Sequence, residues 1–242
     1  MKDAKIRLGV NIDHAATLRQ VRGGTTTYPN LLQLTEIIKT SGGDQITIHL
    51  REDRRHIQLA DLVLLTKKCP LPLNLEMAPT DTMVKIAKRY KPDWCCFVPE
   101  KRQELTTEGG LNVAKDKKKI QKMVARLNVI GIETSMFIEP SLEQVKASFE
   151  VGADAVEFHT GRWVRLKGPA KIKEWKRLVI AAEAANKLGL LVHAGHGLDF
   201  STTKEICVLP HLRELNIGHS LICYSLEMGL GSAVQKMKRL LL

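Results

Sequence analysis

The stretch Thr134-Ser135-Met136-Phe137-Ile138-Glu139-Pro140-Ser141-Leu142-Glu143-Gln144-Val145-Lys146-Ala147-Ser148-Phe149 holds one complete passage from strand to helix. Its first five residues make a short apolar run of strand length. Pro140-Ser141 ends the run, and Ser141 is placed to cap a helix with its hydroxyl. Leu142, Val145 and Phe149 then recur at helical spacing, which predicts an outer helix with those three on its buried face. Another apolar run follows at 155–158. The order strand, helix, strand predicts a βαβ unit and hence parallel pairing.

Outward from this unit the same grammar runs to both ends of the chain with no linker-like break. Strands are predicted at 8–12, 45–48, 73–75, 94–98, 134–138, 155–158, 190–194 and 214–217. Between them, Met83, Ile86, Ala87 and Tyr90 in one segment, and Ile120, Met123, Val124 and Leu127 in another, keep the helical period. The number of strands is the number a closed α/β barrel needs, and 242 residues is close to the roughly 250 typical of that fold. The expected architecture is an α/β chain folded as a single (β/α)8 TIM-barrel domain over 1–242. An open doubly wound sheet has the same local pattern and is the alternative.

Composition excludes whole classes. Hydrophobic residues make up 44% and charged residues 26%, with Gly and Pro dispersed, so a disordered or low-complexity chain does not fit. No apolar run approaches the roughly 18 residues of a membrane helix. The polar start Met1-Lys2-Asp3-Ala4-Lys5 gives no apolar core for a signal peptide. The cysteines number five, none in C-x-x-C spacing, and Cys95-Cys96 lies in an apolar run as packed free thiols would. The expectation is a cytoplasmic protein. The formal charge of +11 admits nucleic acid, an anionic membrane or phosphorylated substrates. Its densest run, Lys115-Asp116-Lys117-Lys118-Lys119, has no interleaved aromatics and reads as a solvated helix start.

In α/β barrels the reacting groups stand at the C-terminal strand ends. Here those ends read Asn11-Ile12-Asp13-His14, then His49-Leu50-Arg51 with His56 close behind, Asn74-Leu75-Glu76, Pro99-Glu100-Lys101-Arg102, Glu157-Phe158-His159, Ala194-Gly195-His196-Gly197 and Asn216-Ile217-Gly218-His219. One histidine after a strand is an ordinary hydrogen-bonded residue. So many strands converging with His, Glu and Arg point to a site, because burying such groups is costly unless they are paired or used. Glu76 and Glu157 adjoin apolar segments, where desolvation raises a carboxyl toward the pH at which it can abstract protons. The bland alternative makes each a salt-bridge partner of Arg51, Arg54 or Arg55.

Gly195-His196-Gly197 and Gly218-His219 follow the last two strands, where barrels commonly bind phosphate on exposed backbone N–H groups. A phosphorylated substrate is therefore expected. A metal site is not: Asp13-His14 are adjacent and diverge, and His193 and His196 are badly spaced for shared ligation.

Taken together, Gly9-Val10-Asn11-Ile12-Asp13-His14, the 49–56 block, Asn74-Leu75-Glu76-Met77-Ala78, Val98-Pro99-Glu100-Lys101-Arg102-Gln103-Glu104, Thr106-Thr107-Glu108-Gly109-Gly110-Leu111, His159-Thr160-Gly161, Ala194-Gly195-His196-Gly197-Leu198 and Leu215-Asn216-Ile217-Gly218-His219 resemble the pyridoxine 5′-phosphate synthase family, collinearly from about residue 8 to 240. The resemblance implies a barrel with extra helices at subunit contacts, assembled as a homo-octamer. It implies condensation of 1-deoxy-D-xylulose 5-phosphate with 3-amino-2-oxopropyl phosphate to pyridoxine 5′-phosphate, phosphate and water, with no cofactor, no metal, and no nucleic-acid or membrane partner. By matching motifs it makes His49 and Glu76 general bases, His196 the general acid and Glu157 a transition-state stabiliser. Asp13, His14, Arg51, His56 and Thr106 would hold the deoxyxylulose phosphate, and Asn11, Arg22, Gly197, Gly218 and His219 the aminoketone phosphate. Four places depart from the family pattern: the 22–29 stretch is about two residues longer, His193 stands where Asn is expected, Cys223-Tyr224 replaces Gly-Arg, and the loop after Gly161, basic with Arg162, Arg165 and Lys167, is shortened.

Two rivals remain open on sequence. Another phosphosugar lyase, aldolase or isomerase would share the glycines, and Lys101 would be its Schiff-base candidate. An RNA-binding protein would use the 115–119 run and Lys236-Met237-Lys238-Arg239.

Overall fold

The structure, a computed structural model, describes residues 5–100 and 109–241. In chain order its first half is β1 (Arg7–Asn11), α1 (Asp13–Gln20), α2 (Leu31–Thr40), β2 (Gln45–His49), α3 (Leu59–Lys68), β3 (Leu73–Met77), α4 (Asp81–Tyr90), β4 (Trp94–Phe97), α5 (Lys117–Asn128) and β5 (Glu133–Ile138). The second half is α6 (Leu142–Glu150), β6 (Ala155–His159), α7 (Gly161–Arg165), α8 (Gly168–Lys187), β7 (Leu191–Gly195), α9 (Phe200–Ile206), β8 (Leu212–Ile217), α10 (His219–Met228) and α11 (Leu230–Arg239). Every strand pairs in parallel with its neighbour, and β8 returns to β1 with Arg7 opposite Glu214 and Gly9 opposite Asn216. The sheet is a closed eight-stranded barrel, so the open-sheet alternative falls.

Strand alternation sorts side chains between two environments. Leu8, Val10, Ile46, Ile48, Leu73, Leu75, Val156, Phe158, Val192, Leu215 and Ile217 pack outward in the main core beneath the helices. The opposite faces carry Gln45, Thr47, Asn74, Glu157, Glu214 and Asn216, all buried. The barrel interior is thus polar and must satisfy itself by hydrogen bonds. Gln45 Nε2 donates to Glu214 Oε1 at 2.8 Å, Thr47 Oγ1 to Asn216 Oδ1 at 2.9 Å, and Asn216 Nδ2 to Glu157 Oε2 at 2.8 Å.

Two glycines make those bonds sterically feasible. The Thr47–Asn216 bond passes over β1 at Gly9, where a Cβ would stand 2.0 Å from Asn216 Oδ1. The Asn216–Glu157 bond passes over β7 at Gly195, where a Cβ would lie 2.3 Å from Glu157 Oε1. Glu157 owes its position to both the absent side chain on β7 and the amide on β8.

The helices follow their sequence signals, with one correction. Ser141 caps α6 by accepting from Gln144 N–H at 3.2 Å, and Ile120, Met123, Val124 and Leu127 of α5 are all buried. On α6, Val145 is buried, but Leu142 is 56% and Phe149 48% exposed. The reason is Gln144. Its Oε1 accepts from Val113 N–H at 2.8 Å and its Nε2 donates to Asn112, so the buried face turns to Gln144, Val145, Ala147 and Ser148.

Candidate active site

The C-terminal strand ends surround a cavity of about 670 Å³. Asn11, Asp13 and His14 line it from β1, His49, Arg51 and His56 from β2, Glu76 from β3, and Glu157 from β6. His196 and Gly197 reach it from β7, Gly218 and His219 from β8. Among the nominated residues that the structure describes, Arg22 does not join them. Arg22 is exposed past the end of α1, where the turn closed by Gly23 N–H on Gln20 C=O carries it off the wall. Thr106 lies outside the described residues, as does Lys101.

On the acidic side, Asp13 anchors the floor: its Oδ2 accepts from Asn11 Nδ2 at 2.9 Å and its Oδ1 from His49 N–H at 2.8 Å. Glu76 Oε2 stands 3.9 Å from His49 Nδ1, with 17% of its side chain still exposed. Burial, then the charges of Asp13 and Glu157, push the Glu76 carboxyl well above its ordinary range. Burial and Glu214 push Glu157 up to about 8. Glu157 therefore holds a proton near neutrality until a substrate changes its surroundings. Arg51 Nε donates to Asp53 at 3.2 Å and Arg55 Nη2 to Asp53 at 2.7 Å, while Arg54 Nη1 donates to the Leu50 carbonyl at 3.1 Å.

On the imidazole side, His196 has φ 77° and Gly197 φ 78°. A side-chain-bearing residue in the left-handed region is strained, and such strain persists only where surroundings fix it. Here Thr160 Oγ1 donates to the carbonyls of Gly195 and His196, each at 2.7 Å. Burial, followed by His159 and Arg165, lowers His196 to about 4. Behind it lies a pairing that sequence spacing does not give: His159 Nδ1 meets Glu139 Oε1 at 2.7 Å, and the His159 ring centroid is 5.1 Å from that of His196. Glu139 also accepts from Gly110 N–H at 3.2 Å, so it ties the 109–111 segment to β6.

The eighth strand opens into α10 through Gly218-His219, and Gly218, His219 and Ser220 line the cavity beside Gly197. A helix start with no side-chain cap suits an anion. His14 packs edge-on against His219 at 4.9 Å, and burial lowers His14.

Asp13, His49 and Glu76 offer ligand atoms within 4.8 Å of one another. Sequence spacing missed this set because its members come from three strands. Both Asp13 oxygens already accept N–H bonds and His49 Nε2 meets Glu100 at 2.8 Å, so hydrogen bonds engage Asp13 and one nitrogen of His49. His193 Nδ1 lies 3.7 Å from Glu214 Oε1.

The comparisons fit this geometry. The family model "Pyridoxal phosphate biosynthesis protein PdxJ" matches residues 8–242. The chain belongs to the PdxJ family. This PdxJ-family chain is 68% identical over 237 residues to the pyridoxine 5′-phosphate synthase of Bdellovibrio bacteriovorus, covering 98% of each. It is 50% identical over 234 residues to that of Syntrophotalea carbinolica, covering 96% of this chain and 97% of the relative. Among solved structures, KGPDC from Streptococcus mutans superposes with a TM-score of 0.67 at 12% identity, covering 98% of this chain and 97% of that one. At that identity the likeness concerns the barrel alone. PdxJ proteins are enzymes of pyridoxine biosynthesis, and the aldolase and RNA-binding rivals lose their ground. Lys238, one of the cations the RNA reading needs, is buried against Asp44, and Lys236 lies over the Phe200 ring at 4.4 Å.

Proposed function

We propose that this PdxJ-family chain condenses 1-deoxy-D-xylulose 5-phosphate with 3-amino-2-oxopropyl phosphate to pyridoxine 5′-phosphate, releasing phosphate and water. The carrying observation is that two raised carboxyls and two histidines from four strands face one cavity with a helix start at its edge. Ring formation needs an imine, loss of one phosphate, and an aldol-type closure with dehydrations. Each step moves protons, and a positioned acid or base is worth roughly 10²–10⁴-fold.

In this reading His49 and Glu76 take protons from carbons beside the ketone, His196 returns a proton to a leaving oxygen, and Glu157 steadies charge that develops between them. A phosphate dianion near His196 offsets the positive neighbours that disfavour its imidazolium, which readies it as an acid only once substrate is bound. Asp13, His14, Arg51 and His56 hold the deoxyxylulose phosphate. Asn11, Gly197, Gly218 and His219 hold the aminoketone phosphate, and Arg22, outside the cavity, is left out of this set.

The same reading makes the enzyme cytoplasmic and self-associating as a homo-octamer. What supports assembly is that Val21, Tyr28 and Leu226 leave large apolar surfaces more than two-thirds exposed. No helix among the described residues is long and apolar enough to cross a membrane.

The test is to supply pure, chelator-treated protein with both substrates and follow product and free phosphate. Equal yields of pyridoxine 5′-phosphate and phosphate without added metal are expected. Absence of product, or product only after a divalent cation is restored, contradicts the reading.

A further inference from the structure

His49 is fixed at its root and at one ring nitrogen. Its N–H donates to Asp13 Oδ1 at 2.8 Å, and its Nε2 lies 2.8 Å from Glu100 Oε1. The opposite nitrogen, Nδ1, is 3.9 Å from Glu76 Oε2, beyond hydrogen-bonding distance. Glu100 is itself held: its other oxygen accepts from Glu52 N–H at 3.1 Å, and 9% of its side chain is exposed. Burial pushes the Glu100 carboxyl up, but the His49 hydrogen bond and the nearby positive charge outweigh it and leave it below its ordinary value. An ionised carboxylate only accepts, so the proton of a neutral ring must sit on the nitrogen facing it.

We propose that Glu100 is a positioning residue for His49, holding the Nε2–H tautomer so that the Nδ1 lone pair faces the cavity and is the atom that takes the substrate proton. Among the described residues, the recorded contacts of the other groups round the ring do not fix this choice. Asp13 engages the backbone N–H, the His56 ring is 6.1 Å away, and Arg51 donates to Asp53. The pairing also ties the exit of β4 to the exit of β2 through Glu52. The kinetic part of this inference rests on the proposed function; the tautomer does not.

The test uses ¹⁵N-histidine NMR on the full chain, with the His49 signals assigned by their loss in His49→Gln. Wild type is expected to show a protonated Nε2 and a bare Nδ1. In Glu100→Gln the amide can present N–H to Nε2, which favours the opposite tautomer. There kcat is expected to fall on the order of 10²-fold or more with KM within about threefold, and Glu100→Asp to recover part of the loss. A wild-type ring protonated at Nδ1, or a Glu100→Gln protein with unchanged tautomer and kcat, overturns the proposal. So does a loss confined to KM, which would make Glu100 a substrate ligand. Should Glu100→Gln fail to fold, the wild-type spectrum and Glu100→Asp decide alone. A wild-type protein that never forms product while keeping the tautomer refutes the proposed function and leaves the pairing standing.

Discussion

Glu76→Gln is expected to lower turnover by about 10²–10⁴-fold while raising the melting temperature at pH 8. The loss follows from removing a base that stands 3.9 Å from His49 Nδ1 on the cavity wall. The gain follows from proton linkage. Glu76 in the folded chain lies well above the 4.5 of an ordinary Glu, so between those two values the native state keeps a proton that the unfolded chain has released. Stability then falls as pH rises through that window, because the unfolded state binds fewer protons. Glutamine stays neutral and carries no such dependence. Melts of both proteins at pH 5 and pH 8 should therefore diverge, with the variant ahead at the higher pH. The opposite sign of divergence would mean that Glu76 is stabilised as a carboxylate, and near-wild-type turnover would remove it from the base role.

Gly161→Ala is expected to reduce turnover by about 10²-fold and stability by about 1–3 kcal/mol. A Cβ there would stand 2.7 Å from His159 Nε2 and 2.8 Å from His196 Cδ2. Neither ring can retreat without a further loss. His159 is tied to Glu139 at 2.7 Å, and His196 sits on a left-handed backbone held by Thr160. The added methyl must therefore displace the proposed acid, and a displacement of about 1 Å at a reacting group is enough for a loss of that size. Steady-state kinetics and a urea melt measure the two effects. An alanine variant with wild-type turnover would show that His196 is free to shift or is not the acid.

Much of this was readable before any coordinates, for identifiable reasons. All eight strands were predicted within two residues of their observed bounds, because short apolar runs bounded by turn residues are a local signal. Closure followed from the number of strands rather than from any local pattern, and the pairing of β8 with β1, which joins Arg7 to Glu214 across the whole chain, bears it out. The cavity residues were legible because polar groups at apolar strand ends are costly without a use. Arg22 stands exposed off the cavity wall because a motif fixes order along the chain, whereas the turn after α1 fixes direction. The pairs Glu100–His49 and Glu139–His159 join separate strand ends, so no spacing rule reveals them. The polar barrel interior was latent in the alternation of Gln45 and Thr47 with Ile46 and Ile48, and of Glu214 and Asn216 with Leu215 and Ile217. The α6 face was misread since Gln144, a polar side chain, outweighs Leu142 and Phe149 by satisfying the backbone of 113–114.

The account stands on Glu76 and His196 acting on one bound molecule. A crystal structure of the protein soaked with pyridoxine 5′-phosphate tests this most directly. The pyridine ring should lie in the cavity between the Glu76 carboxyl and the His196 imidazole, within reach of both. A ring bound outside that cavity, or touching neither residue, would contradict it.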